Sequence, residues 1–364
     1  MFKSVVVAGA SLLALAGASV GAGTAGTAGA ATTSGQANRP MYAVLPHVGD
    51  RVAPALSIAN WSFSYKYNSV TYTEQFLGTN PSGGGSTTIP VYIIPLKLTR
   101  GTYVTDPMKK VDKVTTVKRT VDSPIFQDED YTQGGTDVGN TQYEDAIQRA
   151  SLWGLGGSSS GYHVLLSQPT VEPEQSLTVP TADSVTGKPF GTKVMEISIN
   201  WFDAKIQPMI SSLGIPADAV PIFLTTQTYL LEGAKSGCCI GGYHSYTGTQ
   251  PYIMTTYIQQ SGEFAQDVSA LSHEMGETIN DPETNDTDVP ALCGELGNDQ
   301  RIYEVGDPLE IDANYGDYPY TLGGYTYHLQ DLVLPPYFGA PTADSVNGWS
   351  TFQGTSLTVC QNGG

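Results

Sequence analysis

The stretch Asp267-Val-Ser-Ala-Leu-Ser-His273-Glu274-Met-Gly-Glu277-Thr-Ile-Asn-Asp281-Pro282 decides how the rest of the chain is read. Asp267 is a suitable N-cap, and Pro282 disfavours helical geometry at Asp281, so a helix is predicted between them. At about 100° per residue, Val268, Leu271, Met275 and Ile279 form one apolar stripe. His273, Glu274, Glu277 and Asp281 gather on the opposite side. His273 and Glu277 are four apart, so they sit one turn above each other and can grip one ion. In H-E-x-x-H metallopeptidases two histidines at this spacing hold zinc and the intervening glutamate activates water. Here Glu277 replaces the second histidine, and a carboxylate also ligates zinc. The competing reading is a polar helix face turned to water.

Downstream, Glu304 lies 31 residues after His273 in Arg301-Ile-Tyr-Glu304-Val-Gly-Asp307-Pro308. Catalytic zinc sites draw on three protein ligands and leave a position for water, so Glu304 or Asp307 is expected as the third. The other would be its hydrogen-bonded neighbour. No Lys or Arg lies between Lys235 and Arg301 to compete for these carboxylates. Upstream, Gly237-Cys238-Cys239-Ile-Gly241-Gly242-Tyr243-His244-Ser245-Tyr246 can bring His244 to the site, as an extra ligand or a hydrogen-bond donor to a developing oxyanion. Tyr243 and Tyr246 are candidates for the same service. His47, His163 and His328 are assigned no role.

The 364 residues allow a large buried core. A charged fraction of 14% argues against disorder and coiled coil. Residues 1–235 carry 16 basic and 18 acidic side chains, whereas residues 236–364 carry 17 acidic ones and only Arg301. The net charge of −18 therefore sits almost wholly in the last third, where bound divalent cations or a solubilising surface would account for it. Such acidity excludes nucleic acid as a partner. Met1-Phe2-Lys3, the apolar run Val5–Val20 and Ala28-Gly-Ala30 read as a signal peptide over residues 1–30. A secreted or periplasmic location follows, with no membrane span. Residues 31–85 are read as a flexible segment and N-terminal strands, and residues 86–364 as the metal-binding domain. An exported chain with Cys238, Cys239, Cys293 and Cys360 suggests two disulfides. Adjacent Cys238 and Cys239 are each expected to seek Cys293 or Cys360, stapling a loop-rich C-terminal part. A Cys-rich zinc site is disfavoured because no C-x-x-C occurs.

Trp61, Phe63, Tyr65 and Tyr67 alternate as in a strand. Strands are also predicted over 89–98, at a sheet edge because of its prolines, over 109–121, half exposed, and over 194–199, 222–231 and 252–258. Helices are predicted over 141–153 and 202–213, the latter bent or shortened by Pro208. This mixture indicates an α+β fold. Neither G-x-S-x-G nor a phosphate-binding G-x-x-x-x-G-K-[ST] occurs, which argues against a serine hydrolase and a nucleotide-binding protein.

Cys239-x-x-Gly242-Tyr243-His244, the Ser272-His-Glu-x-x-Glu277-x-x-x-Asp281-Pro282 helix and Glu304-Val-Gly-Asp307 resemble bacterial secreted proteins related to the exordium (phosphate-induced) family. So do Gly139-Asn-Thr-Gln-Tyr-Glu-Asp-Ala-Ile-Gln-Arg149 and Val346-Asn-Gly-Trp-Ser-Thr-Phe-Gln-Gly-Thr355, so that the resemblance spans about residues 85–360. The Ser-His-Glu helix is also similar to the active-site helix of zincin metallopeptidases. That resemblance implies a zincin-like mixed sheet with a backing helix, an edge strand at 252–258 that aligns an extended peptide, and an active-site helix. It further implies zinc held by His273, Glu277 and Glu304 or Asp307, Glu274 as general base, and a peptide or protein substrate of a zinc metalloendopeptidase. The exordium resemblance implies instead a non-catalytic extracellular protein binding cell-wall glycan. The oxygen-rich run Asp281–Asp288 would suit a calcium-stabilised structural protein.

Overall fold

The computed structural model describes residues 41–44, 55–284, 289–290, 303–310 and 314–354. The predicted signal peptide, His47, Cys293, Cys360 and the acidic positions 285–288 lie outside the described residues. The fold is mixed α+β, rich in strands, with five α-helices among the described residues: α1 (Thr116–Val121), α2 (Tyr143–Ser151), α3 (Ile199–Ser212), α4 (Ser269–Asn280) and α5 (Asp307–Glu310). None is long and apolar enough to cross a membrane.

A curled mixed sheet forms the framework. Its strand order is 170–171, 91–100, 220–226, 250–257, 238–247, 228–231, 194–198 and 184–187. Both faces are covered, so its strands are nearly continuous apolar runs. Alternation still sorts the side chains. Val91, Ile93, Ile222, Leu224, Ile253 and Tyr257 share a core with the apolar stripe of α4. Ile94, Leu96, Phe223, Tyr252 and Met254 pack on the opposite side with Phe202, Ile206 and Ile210 of α3. Leu271, Met275 and Ile279 of α4 meet Phe76, Leu77, Tyr143 and Ile147, so the hairpin formed by strands 60–67 and 70–77 and helix α2 close over the first core.

Four local expectations are corrected. The strand Val91–Arg100 is interior, flanked by 220–226 on one side and by the short strands 170–171 and 175–178 on the other. Pro95 falls in the gap between those two short partners. Residues 109–121 are a two-strand hairpin, 110–111 with 114–115, followed by α1. Asp112 and Lys113 turn the chain with positive φ, and Thr115 Oγ1 accepts from Lys118 N to cap α1 at 3.0 Å. The run 222–231 is broken at Gln227 (φ 50°), and the hairpin 238–257 inserts between its two halves. Strand Gln250–Tyr257 pairs with a neighbour on each side, so it is no edge and has no free backbone ladder for a peptide. The sulfurs of Cys238 and Cys239 are in close contact with each other, while their expected partners Cys293 and Cys360 lie outside the described residues. Cys239 is enclosed by a small cluster with Tyr42, Tyr229 and Phe264, which holds the pair at the start of strand 238–247.

α4 packs its apolar stripe into the first of these cores. Leu271 is 1% exposed, and truncating it to alanine is expected to cost roughly 2–5 kcal/mol. Urea denaturation should resolve this, while Val171→Ala at an exposed position should stay within about 0.5 kcal/mol.

Candidate metal centre

Helix α4 begins at Ser269, one residue later than a cap at Asp267 would place it. Val268 occupies the cap position, and the Asp267 carboxylate accepts instead from Val268 N and from His328 N and Nδ1. The helix ends before Pro282, as its sequence requires. Its polar face does not meet water. His273, Glu274 and Glu277 are buried as completely as the apolar stripe, and Asp281 nearly so. That overturns the solvated-face reading of the motif. The reason is strand 238–247, which crosses α4 with Tyr243 turned to the other side, where its hydroxyl donates to Asp203 of α3 at 2.8 Å. Tyr243 is therefore no partner of the site. Its neighbours Gly242 and His244 face α4. A Cβ on Gly242 would lie 2.7 Å from Glu274 Oε1, so only glycine lets strand and helix approach this closely. Tyr246 is buried.

The candidate ligands come together as follows. His273 Nε2 lies 3.0 Å from Glu277 Oε1 and 3.5 Å from Asp307 Oδ1. His244 Nδ1 lies 3.2 Å from Glu274 Oε2 and 3.6 Å from Glu277 Oε2, and its Nε2 is 3.8 Å from Glu304 Oε1. The two downstream carboxylates are thus divided: Asp307 stands at His273 and Glu304 at His244. Gly306 between them donates its backbone N–H to Glu277 Oε1 at 3.0 Å. A Cβ there would fall 2.2 Å from His273 Nδ1, which explains the glycine in Glu304-Val-Gly-Asp307.

Three participants carried no sequence signal that marked them. Gln330 Nε2 donates to Gly306 O at 2.9 Å, which turns its Oε1 towards His273 Nδ1 at 2.6 Å. Nδ1 therefore holds the proton, and Nε2 presents its lone pair to the carboxylates, the tautomer a metal ligand needs. Tyr42, on a strand that pairs in parallel with 238–247, stacks on the His273 ring at 3.7 Å. Its backbone N–H donates to Glu310 Oε2 at 2.8 Å. Glu144 of α2 is buried against Gly276, and neither of its oxygens has a hydrogen-bond partner among the described residues. Only Glu310 was within reach of sequence reasoning, since it follows Asp307 by one helical turn.

The electrostatics follow from burial. Burial pushes the Glu274 carboxyl well above its usual range, with Glu277, Asp307 and Glu310 adding to the push against His273. Glu304 and Glu310 are raised by the same cause. Burial would raise Glu277 too, but the positive charge of His273 and His244 outweighs it and takes Glu277 down to about 2. Burial alone would lower His273, yet Glu277 and Asp307 hold it well above the ordinary imidazole value. Burial lowers His244. No lysine or arginine is among the leading charges on these carboxyls.

A divalent cation fits these residues. Zinc bonds of about 2.0–2.2 Å to nitrogen and oxygen leave ligand atoms of one ion about 3–4 Å apart, the separations at His273 Nε2. Without an ion, the raised His273 holds a proton on Nε2 against these carboxylates, and a cation would take that proton's place. No family model matches this chain, and neither a curated protein nor a solved structure matches it.

The titration has a defined sign. An unfolded carboxyl titrates at about 4.3. A carboxyl raised in the fold contributes full stability below that value and loses it as pH climbs through the folded pKa. Glu274, Glu304, Glu310 and the raised His273 act in this direction, while Glu277 and His244 oppose it. The chelator-treated chain should melt lower at about pH 8 than at about pH 5.5, and added zinc should recover the difference at the higher pH. Equal melting temperatures at both pH values would reveal another counter-charge.

Proposed function

We propose that the chain is an exported, zinc-dependent hydrolase of peptide bonds, zincin-like in its use of one helix for a ligand pair and a base. The observation that carries this is the wholly buried pair His273 and Glu277, joined by Asp307, with no lysine or arginine among the leading charges on Glu277. Imidazole mixed with carboxylate favours zinc over calcium, which takes oxygen ligands. Zinc supplies Lewis acidity towards a carbonyl and lowers the pKa of water when bound. Glu274 provides the base. Its Oε2 faces His244 Nδ1, and its Oε1 is buried without a hydrogen-bond partner among the described residues, available to take and return a proton. A carboxyl raised by burial binds that proton more readily near neutrality than an exposed one. Gln330 fixes the His273 ring.

A second reading is a non-catalytic, exordium-like extracellular protein whose ion is structural. One observation favours it: the His273 ring is covered by Tyr42, and the ligand set is enclosed. A glycan platform of stacked aromatics has less support, because every described Tyr, Trp and Phe is buried or half-buried.

The two readings separate in one experiment. Purified zinc-loaded chain should cleave an unstructured protein substrate, and Glu274→Gln should keep its zinc while losing about 100- to 10,000-fold in rate. Unchanged proteolysis in Glu274→Gln would eliminate the mechanism. Zinc bound stably without any cleavage by the native chain would establish the structural reading.

A further inference from the structure

We propose that the centre holds two divalent ions rather than one, with Glu277 bridging them and a second site formed by His244, Glu277 and Glu304. The proposal rests on reading His273 and Glu277 as ligands of a first ion, and extends that reading to residues a single-ion site leaves unused.

The two oxygens of Glu277 serve two different imidazoles. Oε1 lies 3.0 Å from His273 Nε2, and Oε2 lies 3.6 Å from His244 Nδ1. A carboxylate shared in this way brings two cation positions side by side. Two clusters of candidate donor side chains occur among the described residues: His273 and Glu277 with the base Glu274, and His244 with Glu277 and Glu304. In each, one ligand atom from every member lies within 4.8 Å of the other two. Glu277 belongs to both.

Glu304 is the independent indication. It is 1% exposed, and its side-chain partner is the carboxyl of Glu277, an acid group set against another acid group. An ion on His273 and Asp307 leaves this carboxylate beside Glu277 with only like charge for company. A second cation satisfies both. The imidazole beside it is suitably prepared, since His244 Nε2 lies 3.2 Å from the Asp281 carbonyl oxygen. Nε2 therefore carries the proton and donates it to that oxygen, which leaves the lone pair on Nδ1, 3.6 Å from Glu277 Oε2 and 3.2 Å from Glu274 Oε2. A nitrogen-and-carboxylate set suits a zinc-like ion.

The test uses the purified full chain, stripped with chelator and reloaded with Zn²⁺ or Co²⁺ alone. Elemental analysis should give two equivalents per chain. Glu304→Gln, which preserves shape, and His244→Ala should each reduce this to one, and His273→Ala should remove the other. In the Co²⁺-loaded native chain, coupling through Glu277 should weaken the electron paramagnetic resonance signal per cobalt, and Glu304→Gln should restore it. If His244→Ala does not fold, Glu304→Gln carries the result by itself. One equivalent in the native chain would overturn the second ion and leave the single-ion reading standing. No bound metal would overturn both. Two equivalents retained in Glu304→Gln would overturn the assignment of the second site.

Discussion

Carboxylates buried against imidazoles, with no lysine or arginine among their leading charges, govern this molecule. Moving a charge out of water costs several kcal/mol even after the protein relaxes, unless an opposite charge goes with it. Here Glu274, Glu277, Glu304 and Glu310 are buried together around two imidazoles. Two histidines cannot balance four carboxylates, and the surrounding sequence offers no lysine or arginine between Lys235 and Arg301. The fold must either hold protons on these groups or hold metal cations among them. The concentration of acid in the last third of the chain is thus partly an interior feature, not only a solubilising surface.

The architecture makes that interior dry. α4 is wrapped on all sides: by the sheet, by the hairpin 60–77, by α2 and by the strand 325–330. Its apolar stripe meets one core, and its polar face meets strand 238–247 and the segment 303–310. Gly242 and Gly306 are points of close approach, and they leave room for Glu274 and His273 where a Cβ would collide. Gln330 and Tyr42 then lock the His273 ring by a hydrogen bond and a stacking contact. Such over-determination of one imidazole is what a metal ligand requires, because affinity depends on holding the lone pair in place before the ion arrives.

Enclosure also bears on activity. A hydrolytic centre must admit a peptide, yet strand 250–257 offers no open edge and Tyr42 lies over His273. A structural ion needs no such entrance. The same geometry therefore supports metal binding more directly than turnover, and the position of the strand 41–44 is the feature on which access turns.

Much of the local structure was written in the residues themselves. The extent of α4, its two faces, the strand at 60–67, the helix over 143–151 and the grouping of His273 with Glu277 follow from periodicity, proline placement and helical spacing, which act over a few residues. Other features needed the fold. The hairpin at 110–115 turns on Asp112 and Lys113, which bear no glycine to announce it. The edge or interior status of 91–100 and 250–257 depends on which distant strands lie beside them. Whether the polar face of α4 meets water or other carboxylates was decided by strand 238–247 and by residues 303–310. Their approach is a matter of packing between segments tens of residues apart, for which spacing along the chain holds no information. The division of Glu304 to His244 and Asp307 to His273, and the roles of Gln330 and Tyr42, belong to that second class for the same reason.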